Sequence, residues 1–448
     1  MKKRIIISLV SCMLLIVGVG CKGMSAEEAA GIRPVTLDYW TVYGDTTMLK
    51  TFASEYVALK PYLKINIRQV RYEEQDSLFV NALADDVGPD IISMHVQAIG
   101  RHVQRLAPVP PSVKVWNLYT QGEYIKETVV EAEANNMITP SIMGREFMST
   151  VSDDAIIDGA IYGIPIAFDN LALYYNQTLM DQAGVAEPPT TWDAFLEAVK
   201  LSTKVNDRGD ILQSGVGMGL GENVENSFDI LSVLMMQNGI IIEQNGRITF
   251  NTGITQTEGH PAIDSLRFYT DFARPTKEVY TWNKNKISAL DEFVQGRSVF
   301  YIGFAHDAGS IKTRAPQLNV GVVPLPQLNP GTPVNVANYW LETVVAKSEN
   351  QNEAWDFIRY ITLPDNIKRY VDAVGVPSPL RRHIEAQMQL PELEPFVSQV
   401  LVAKNWYHGK DIEAAKNAFD NLMSGYLDPY EEGEKENKRD QDLFNRAA

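Results

Sequence analysis

Hydrophobic and polar residues follow a regular order over the first hundred positions. Three stretches have the pattern of strands, 35–42 (VTLDYWTV), 63–70 (LKINIRQV) and 91–94 (IISM), and two have apolar residues at helical spacing, 46–59 and 78–84. This order of strand, helix, strand, helix, strand predicts a parallel α/β sheet. Ligands of such sheets bind at the carboxyl ends of the strands, so Trp40 and Tyr43 are expected to face a crevice.

The apolar stretch 162–176 (YGIPIAFDNLALYYN) contains a polar pair, Asp169-Asn170, at its centre. A chain of 448 residues is too long for one hydrophobic core, so two lobes are expected. We predict that 162–176 crosses from one lobe to the other and that Asp169 lies in the cleft at that crossing. The strand patterns 320–325 (VGVVPL) and 341–346 (LETVVA) predict a return crossing.

Composition and pattern together define the expected domain boundaries. Residues 113–151 predict a largely helical insertion on the first lobe, and the charge-dense C-terminus predicts a solvated segment, partly helical or disordered. The predicted organisation is a signal peptide (1–20), a lipid-anchored tether (21–34), an N-terminal lobe (35–168 and 320–346), a C-terminal lobe (169–319 and 347–427) and a charged tail (428–448).

The N-terminus has the features of a secretory signal. A basic start, Lys2 to Arg4, precedes an apolar run over residues 5–20 and then Cys21. Small residues before a cysteine are typical of a lipoprotein signal, in which the cysteine thiol is acylated after cleavage. The alternative is an uncleaved membrane anchor, since the run is just long enough for a marginal span. Either interpretation places the body of the protein outside the cytoplasm, on the outer face of the cell membrane.

Charge and cysteine content exclude several classes of protein. The chain has 40 basic and 56 acidic residues, a net charge of −16, and loss of the signal removes three positive charges. This acidic balance argues against nucleic-acid binding. Cys12 lies inside the apolar run, so the mature chain would contain no disulfide and no cysteine-based metal site.

The sequence contains no pattern that predicts catalysis. There is no Gly-x-Ser-x-Gly elbow, and the six histidines are scattered without a His-Glu-x-x-His arrangement. We therefore predict a protein that is not an enzyme and that uses neither a cofactor nor a metal.

Five blocks, in order along the chain, resemble the family 1 extracellular solute-binding lipoproteins of ABC importers, the group around maltose-binding protein. These blocks are DGAIYGIPIAFDNLALYYNQTLM (158–180), AGVAEPPTTWDAFLEAVK (183–200), FVQGRSVFYIGF (293–304), VGVVPLPQ (320–327) and VVAKSENQNEAWDFIRYIT (344–362). Each block is weak alone, but five in order are specific. The chain departs from the family at Val299-Phe300-Tyr301, where Ala-Met is usual, and over 113–151.

The resemblance implies a type II periplasmic-binding-protein fold. In this fold two lobes, each a mostly parallel sheet flanked by helices, are joined by two or three crossing strands. Ligand binds in the cleft between the lobes, which close by a hinge. Membrane subunits of the importer would recognise the closed form, and the protein is expected to act as a monomer.

Candidate ligand-binding residues lie at the predicted cleft. Aromatic faces stack against the C–H surface of a sugar, and polar groups bind its hydroxyls. The candidates are Trp40, Tyr43, Asp169, Asn170, Asn223, Gly303, Phe304, Tyr339 and Trp340. The competing interpretation is that the two tryptophans are core residues and that Asp169 is an exposed loop carboxylate.

The expected function is capture of a sugar or oligosaccharide for an ABC importer. One alternative is a non-sugar solute: an acidic cleft would favour a polyamine, and a basic cleft a phosphorylated polyol. A second alternative is a surface receptor or adhesin that is not coupled to transport. A third, a secreted glycan hydrolase, would require turnover of a glycan.

Overall fold

The computed structural model describes residues 24–43, 46–122, 126–244, 246–254, 259–429 and 436–448. The predicted signal peptide and Cys21 lie outside the described residues. Among the described residues, no helix combines the length and the apolar composition that a membrane crossing requires.

The described residues form short strands and helices in alternation. The strands are β1 (Val35–Thr41), β2 (Leu63–Gln69), β3 (Ile91–His95), β4 (Leu106–Ala107), β5 (Ser112–Gln121), β6 (Glu127–Asn136), β7 (Ile156–Ile157), β8 (Ala160–Ile161), β9 (Asp169–Asn176), β10 (Lys204–Val205), β11 (Ile211–Val216), β12 (Glu243–Gln244), β13 (Arg247–Ile248), β14 (Ser298–Phe304), β15 (Val320–Pro324), β16 (Asn335–Asn338), β17 (Trp340–Val345) and β18 (Ala403–Lys404). The α-helices are α1 (Ala26–Gly31), α2 (Thr47–Leu59), α3 (Tyr72–Ala84), α4 (Ile99–His102), α5 (Pro140–Glu146), α6 (Ser149–Ala155), α7 (Gln177–Gln182), α8 (Trp192–Ser202), α9 (Ser227–Gln237), α10 (Pro261–Asp271), α11 (Ala289–Val294), α12 (Asp307–Arg314), α13 (Gln351–Ile361), α14 (Pro364–Val374), α15 (Ile384–Gln387), α16 (Glu394–Val397), α17 (Ile412–Leu427) and α18 (Glu436–Ala447).

The first lobe contains a five-stranded sheet in the order β2-β1-β3-β17-β4. β1 pairs in parallel with β2 and β3, as the sequence pattern predicts, and β17 enters antiparallel beside β3. All five residues of β3 are buried, as expected for a central strand of a largely parallel sheet. The carboxyl ends of β1 and β3 and the start of β17 therefore meet at one edge of this sheet, where Trp340 pairs with His95.

The second lobe contains a seven-stranded mixed sheet built on β9. β14 and β15 pair antiparallel with opposite sides of β9, and β16 pairs with its first two residues. β15 (Val320–Pro324) thus belongs to the second lobe, which corrects the prediction that 320–346 lies wholly in the first. Helices α13 and α14 pack on the first lobe, where Tyr56 donates a hydrogen bond to Asp356. The assignment of all of 347–427 to the second lobe was therefore also wrong.

The chain passes between the two sheets at both predicted crossings. The first runs from Ile164, which bridges to Glu342 in the first sheet, to Asp169 in the second. Gly163 lets this segment lie against β17, because a Cβ there would come within 2.7 Å of the Leu341 Cβ. The return crossing runs from Asn338 to Trp340, and the Tyr339 ring stacks on Phe168 at 5.1 Å between centroids.

Residues 113–151 are not largely helical, which corrects the prediction for this insertion. β5 and β6 form a long hairpin, paired from Ser112 with Asn136 to Gln121 with Glu127, and helices α5 and α6 follow it. In β5, Val113 and Val115 are buried and lie two positions apart, which is the period with which side chains of a strand return to the same face. β6 contains glutamate and alanine, which favour helices, but cross-strand pairing overrides that preference.

Both ends of the described chain are packed on the lobes. In the predicted tether, α1 packs on the hairpin, and Lys114 forms an ion pair of 2.7 Å with Glu27. In the predicted solvated tail, α18 packs against α17, and Phe444 is completely buried with its ring 5.8 Å from that of Phe250. Each segment contains apolar residues that cover part of a lobe, which explains why neither is simply a solvated linker.

Candidate functional site

A cavity of about 620 Å³ lies between the two lobes. The first lobe and the crossings contribute mainly aromatic and amide side chains to its wall, whereas the second lobe contributes most of the charged ones. The residues on which the description below depends are Tyr43, Tyr72, His95, Gln97, Phe168, Asp169, Glu222, Asn223, Glu225, Asp229, Ser288, Phe304, His306, Asn338, Tyr339, Trp340, Tyr370, Lys416 and Asp420.

Trp340 is the centre of an aromatic cluster on the first-lobe wall. Its ring meets those of His95, Tyr72 and Tyr43 edge to face, at centroid distances of 4.8, 5.6 and 6.4 Å. His95 also forms a 2.8 Å hydrogen bond with Asn338, and burial lowers the pKa of its imidazole to about 4. His95 is therefore neutral at physiological pH, and this part of the wall is an uncharged aromatic surface.

A buried carboxylate lies behind this wall. Glu342 accepts hydrogen bonds from the hydroxyls of Tyr39 at 2.5 Å, Ser93 at 2.8 Å and Tyr43 at 3.0 Å. Burial raises the pKa of Glu342 to about 7, although the three hydroxyl donors favour its charged form. The bond to Tyr43 fixes the orientation of a ring that lines the cavity.

Asp169 holds the second-lobe segment that follows β14. Its carboxylate accepts hydrogen bonds from the backbone amides of Ala305 at 2.7 Å and His306 at 3.1 Å, and it contacts the His306 imidazole at 2.9 Å. Desolvation disfavours the imidazolium, but the hydrogen bond to Asp169 and the charge of Asp307 raise the pKa of His306 to about 9. Asp169 thus positions the backbone and a cationic side chain at the crossing.

The second-lobe wall is acidic. Asp229 and Asp420 face the cavity from α9 and α17, and Glu222 and Glu225 lie on the loop before α9. Burial raises the pKa of Asp229 to about 6, opposed by the charge of Lys416. Within the described part of the chain, neither Asp229 nor Asp420 has a side-chain hydrogen bond or an ion pair of 4 Å or less.

Lys416 connects this wall to the opposite lobe. Its ammonium donates a hydrogen bond to the Tyr72 hydroxyl at 2.9 Å and lies 4.8 Å from the centre of the same ring. Nearby, Arg101 of the first lobe lies 3.8 Å from Asp411 of the second. The two lobes are therefore in contact along one side of the cavity.

The matching family model covers most of the chain. The model for bacterial extracellular solute-binding proteins matches residues 47–389. This chain belongs to that family.

Three relatives show how far the likeness extends. A binding protein of Brucella abortus (strain 2308) is 23% identical over 245 residues, which is 54% of this chain and 56% of that protein. The melibiose/raffinose/stachyose-binding protein MelE of Bacillus subtilis (strain 168) is 23% identical over 235 residues, 50% of this chain and 51% of MelE. This chain thus spans about half the length of the curated relatives it matches. The crystal structure of a cyclo/maltodextrin-binding protein complexed with maltotetraose has a TM-score of 0.69 at 16% identity, covering 93% of this chain and 97% of that one.

These comparisons confirm the family and the two-lobed type II fold that the sequence predicts. The family is extracellular, and the relatives named above are binding proteins. Six of the nine candidate residues of this solute-binding protein line the cavity: Tyr43, Asp169, Asn223, Phe304, Tyr339 and Trp340.

Three candidates lie away from the cavity. Trp40 is buried in the first lobe, with the Arg68 guanidinium 4.7 Å from its ring centre. Asn170 is completely buried, and its amide donates to the Phe396 carbonyl at 3.0 Å. Gly303 is buried within β14, where a Cβ would meet the Tyr301 ring at 2.2 Å. Adjacent residues in a strand point to opposite faces, which is why Asp169 and Phe304 reach the cavity whereas Asn170 and Gly303 do not.

Two candidates that line the cavity are held by the protein itself. The Asn223 amide donates to the carbonyls of Asn283 and Lys286, and its oxygen accepts from the Trp282 indole at 2.8 Å. The Tyr339 hydroxyl donates to Asp154, behind the crossing. Both side chains therefore organise the wall through contacts with the rest of the protein.

Sequence reasoning missed several wall residues, chiefly Tyr72, Gln97, Asp229, His306, Lys416 and Asp420. Tyr72 was missed because the predicted helix began at Leu78, whereas α3 begins at Tyr72. Lys416 and Asp420 are four positions apart on one helix, α17, and this spacing places them on a shared face, which was a usable signal in the sequence. The approach of that face to the cleft depends on the tertiary fold.

Proposed function

We propose that this protein is a non-catalytic receptor that captures a sugar or oligosaccharide between its lobes and delivers it to an ABC importer. It acts as a monomer, tethered to the outer face of the cell membrane through acylated Cys21. The proposed cycle is capture in an open cleft, closure of the lobes, docking on the importer's membrane subunits and release.

The observation that carries this proposal is the pairing of the two cavity walls. Trp340, Tyr43 and Tyr72 provide aromatic surface, and carboxylates and amides face it from the other side. Sugars have the same two-sided chemistry, apolar C–H faces with hydroxyls at their edges. MelE, by its name, binds melibiose, raffinose and stachyose, which supports a sugar as the class of ligand.

One alternative ligand is favoured by a specific observation. The acidic second-lobe wall, with Glu222, Glu225, Asp229 and Asp420, would also suit a polyamine. The same wall disfavours a phosphorylated polyol, since Lys416 is the one lysine or arginine among the described residues that line the cavity.

A thermal-shift screen with purified protein tests the proposal. Oligosaccharides, monosaccharides, polyamines and phosphate esters would be compared, and a ligand at about 100 times its Kd should add about 2.7 kcal/mol of stability. Trp340→Ala should weaken binding of the stabilising sugar about tenfold by removing the stacking surface. Trp116→Ala, on the hairpin outside the cavity, is the matched control.

Two outcomes would reject the proposal. One is the absence of a shift with any carbohydrate, and the other is equal sugar affinity in the wild type and Trp340→Ala. Coupling to transport is a separate question. A sugar-loaded receptor should stimulate ATP hydrolysis by its importer in proteoliposomes, whereas an uncoupled surface receptor or adhesin would not.

A further inference from the structure

The charges of the cavity wall are unbalanced. Five carboxylates line the cavity from the second lobe. Asp169 is paired with the cationic His306, and the other four are those of Glu222, Glu225, Asp229 and Asp420. Glu222 lies 3.6 Å from Lys284, and Glu225 accepts a hydrogen bond from a backbone amide, that of Leu290. Asp229 and Asp420 have no such partner within the described ranges. The wall therefore contains two carboxylates that the protein does not neutralise by direct contact.

Lys416 does not remove this imbalance. Its ammonium is hydrogen-bonded to Tyr72 across the cleft and lies 3.5 Å from Glu413. It is one cation shared among several acidic groups. Lys416 is the counter-charge near both Asp229 and Asp420, so closing the lobes over a neutral ligand would leave one of these two negative charges unbalanced, which is costly in a partly desolvated site.

The same region already accommodates an ammonium group. The Lys416 nitrogen lies 2.9 Å from the Tyr72 hydroxyl and 4.8 Å from the centre of that ring, and the Tyr72 ring packs edge to face against Trp340. Carboxylates on one side and aromatic faces on the other are the two features that recognise an organic cation. The cavity provides both.

A polar group on the first lobe indicates that the ligand also carries hydroxyls. Gln97 lines the cavity and is 7% exposed. Its side-chain amide has no hydrogen-bond partner among the residues that the structure describes. The Gln97 amide is not among the fully buried polar groups that lack a partner, so it is open to the cavity, where an amide can both donate to and accept from a sugar hydroxyl.

From these four features, we infer that the ligand is an amino sugar or an aminated oligosaccharide, whose ammonium group binds between Asp229 and Asp420 while its hydroxyls reach Gln97. This inference rests on the proposed sugar-binding function and narrows its ligand class. The amine distinguishes the ligand from neutral oligosaccharides, and the hydroxyls distinguish it from polyamines.

Isothermal titration calorimetry on the full mature chain tests this assignment with three probes. These are the glucosamine disaccharide, which carries free amines, its N,N′-diacetyl form, which has the same skeleton without the charge, and spermidine. We expect the amine disaccharide to bind at least about tenfold more tightly than the diacetyl form at neutral pH, because charge-assisted hydrogen bonds are about twice as strong as neutral ones.

Two isosteric variants locate the amine. Asp229→Asn and Asp420→Asn should each weaken binding of the amine disaccharide about tenfold, with little change for the diacetyl form. Asp207→Asn, an exposed carboxylate on a second-lobe turn outside the cavity, is the control and should bind as the wild type does. Melting temperatures without ligand would show that all three variants are folded.

The outcomes separate this inference from the proposed function. Equal binding of the amine and diacetyl forms, unaffected by either variant, would overturn the inference and leave a neutral-sugar receptor. Binding of spermidine without either disaccharide would overturn it in favour of a polyamine. If no saccharide of any charge binds, the inference and the proposed function both fail.

Discussion

Lys416 and Tyr72 are 344 positions apart in sequence, yet their side chains meet across the cleft in a 2.9 Å hydrogen bond. The ammonium belongs to α17 of the second lobe, and the phenol belongs to α3 of the first. Because this contact exists only while the lobes are together, it contributes to the free energy of closure rather than to the stability of either lobe.

Lys416→Met should therefore shift the unliganded protein toward an open form. Loss of a hydrogen bond worth about 1 kcal/mol would reduce the ratio of closed to open molecules about fivefold. Small-angle X-ray scattering should detect a larger radius of gyration. Tyr72→Phe keeps the aromatic ring and loses the acceptor, so its effect should be smaller.

The matched control for closure is Lys312→Met, an exposed lysine on α12 of the second lobe. It removes the same charge without touching the cleft. Identical scattering from Lys416→Met and Lys312→Met would show that the contact between Lys416 and Tyr72 does not hold the lobes together.

The two-lobed fold was predictable because its signals are local. The strands of the first sheet and the crossing 162–176 are short apolar runs between turn residues. Runs of this kind are typical of buried strands. The hairpin of β5 and β6 was not predicted, since the glutamate and alanine of β6 favour a helix until the strand is paired. In β6, the residues by themselves favour a helix, whereas pairing with β5 requires a strand.

The site was predictable only in part, for a different physical reason. Tyr43 and Trp340 follow or begin strands, so their position at the sheet edge could be inferred from the pattern. The partner of Tyr43, Glu342, is 299 positions away, and no periodicity connects them. The acidic wall likewise combines Asp229 and Asp420 from helices that are far apart in the sequence. Their carboxylates come together on one wall only when the chain folds.

Glu342 should make stability depend on pH. The pKa of this buried carboxyl is raised from 4.5 to about 7, mainly by burial. The contribution of Glu342 to the free energy of unfolding is therefore fully present below pH 4.5 and is lost as the pH rises through 7. A shift of this size corresponds to about 3 kcal/mol, and Glu342→Gln, which cannot ionise, should remove that part of the pH dependence.

Denaturant unfolding between pH 4.5 and 8 would measure the effect as the difference between wild type and variant. Glu392→Gln, an exposed carboxylate, controls for the general effect of losing one negative charge. A constant difference between Glu342→Gln and the wild type over this range would mean that Glu342 is already ionised at low pH.

His408 should make stability depend on pH over a higher range than Glu342 does. Its two ring nitrogens lie 3.0 Å from Asp154 and 3.1 Å from Glu243, so both carry protons. The bond to Asp154 is the main reason that the pKa of His408 is raised from 6.5 to about 9. The resulting stability is present below pH 6.5 and is lost as the pH rises through 9.

His408→Gln should consequently destabilise the protein at pH 6 but have little effect above pH 9. Because the His408 side chain is 44% exposed, solvent screening limits the effect to about 1 kcal/mol. Unfolding at pH 6 and pH 9.5 provides the comparison. An equal loss of stability at both pH values would assign His408 a packing role without a contribution from its charge.

The C-terminal helix offers a test of whether α18 is part of the fold in solution. Phe444 is completely buried against Phe250 and the second lobe, so Phe444→Ala should cost about 3 kcal/mol, by detaching the helix or leaving a cavity. Limited proteolysis should then remove the C-terminal residues faster than in the wild type. Asp442→Ala, an exposed change in the same helix, should leave the rate unchanged. Equal cleavage of Phe444→Ala and wild type would mean that this helix is not docked, because an undocked helix gains nothing from Phe444.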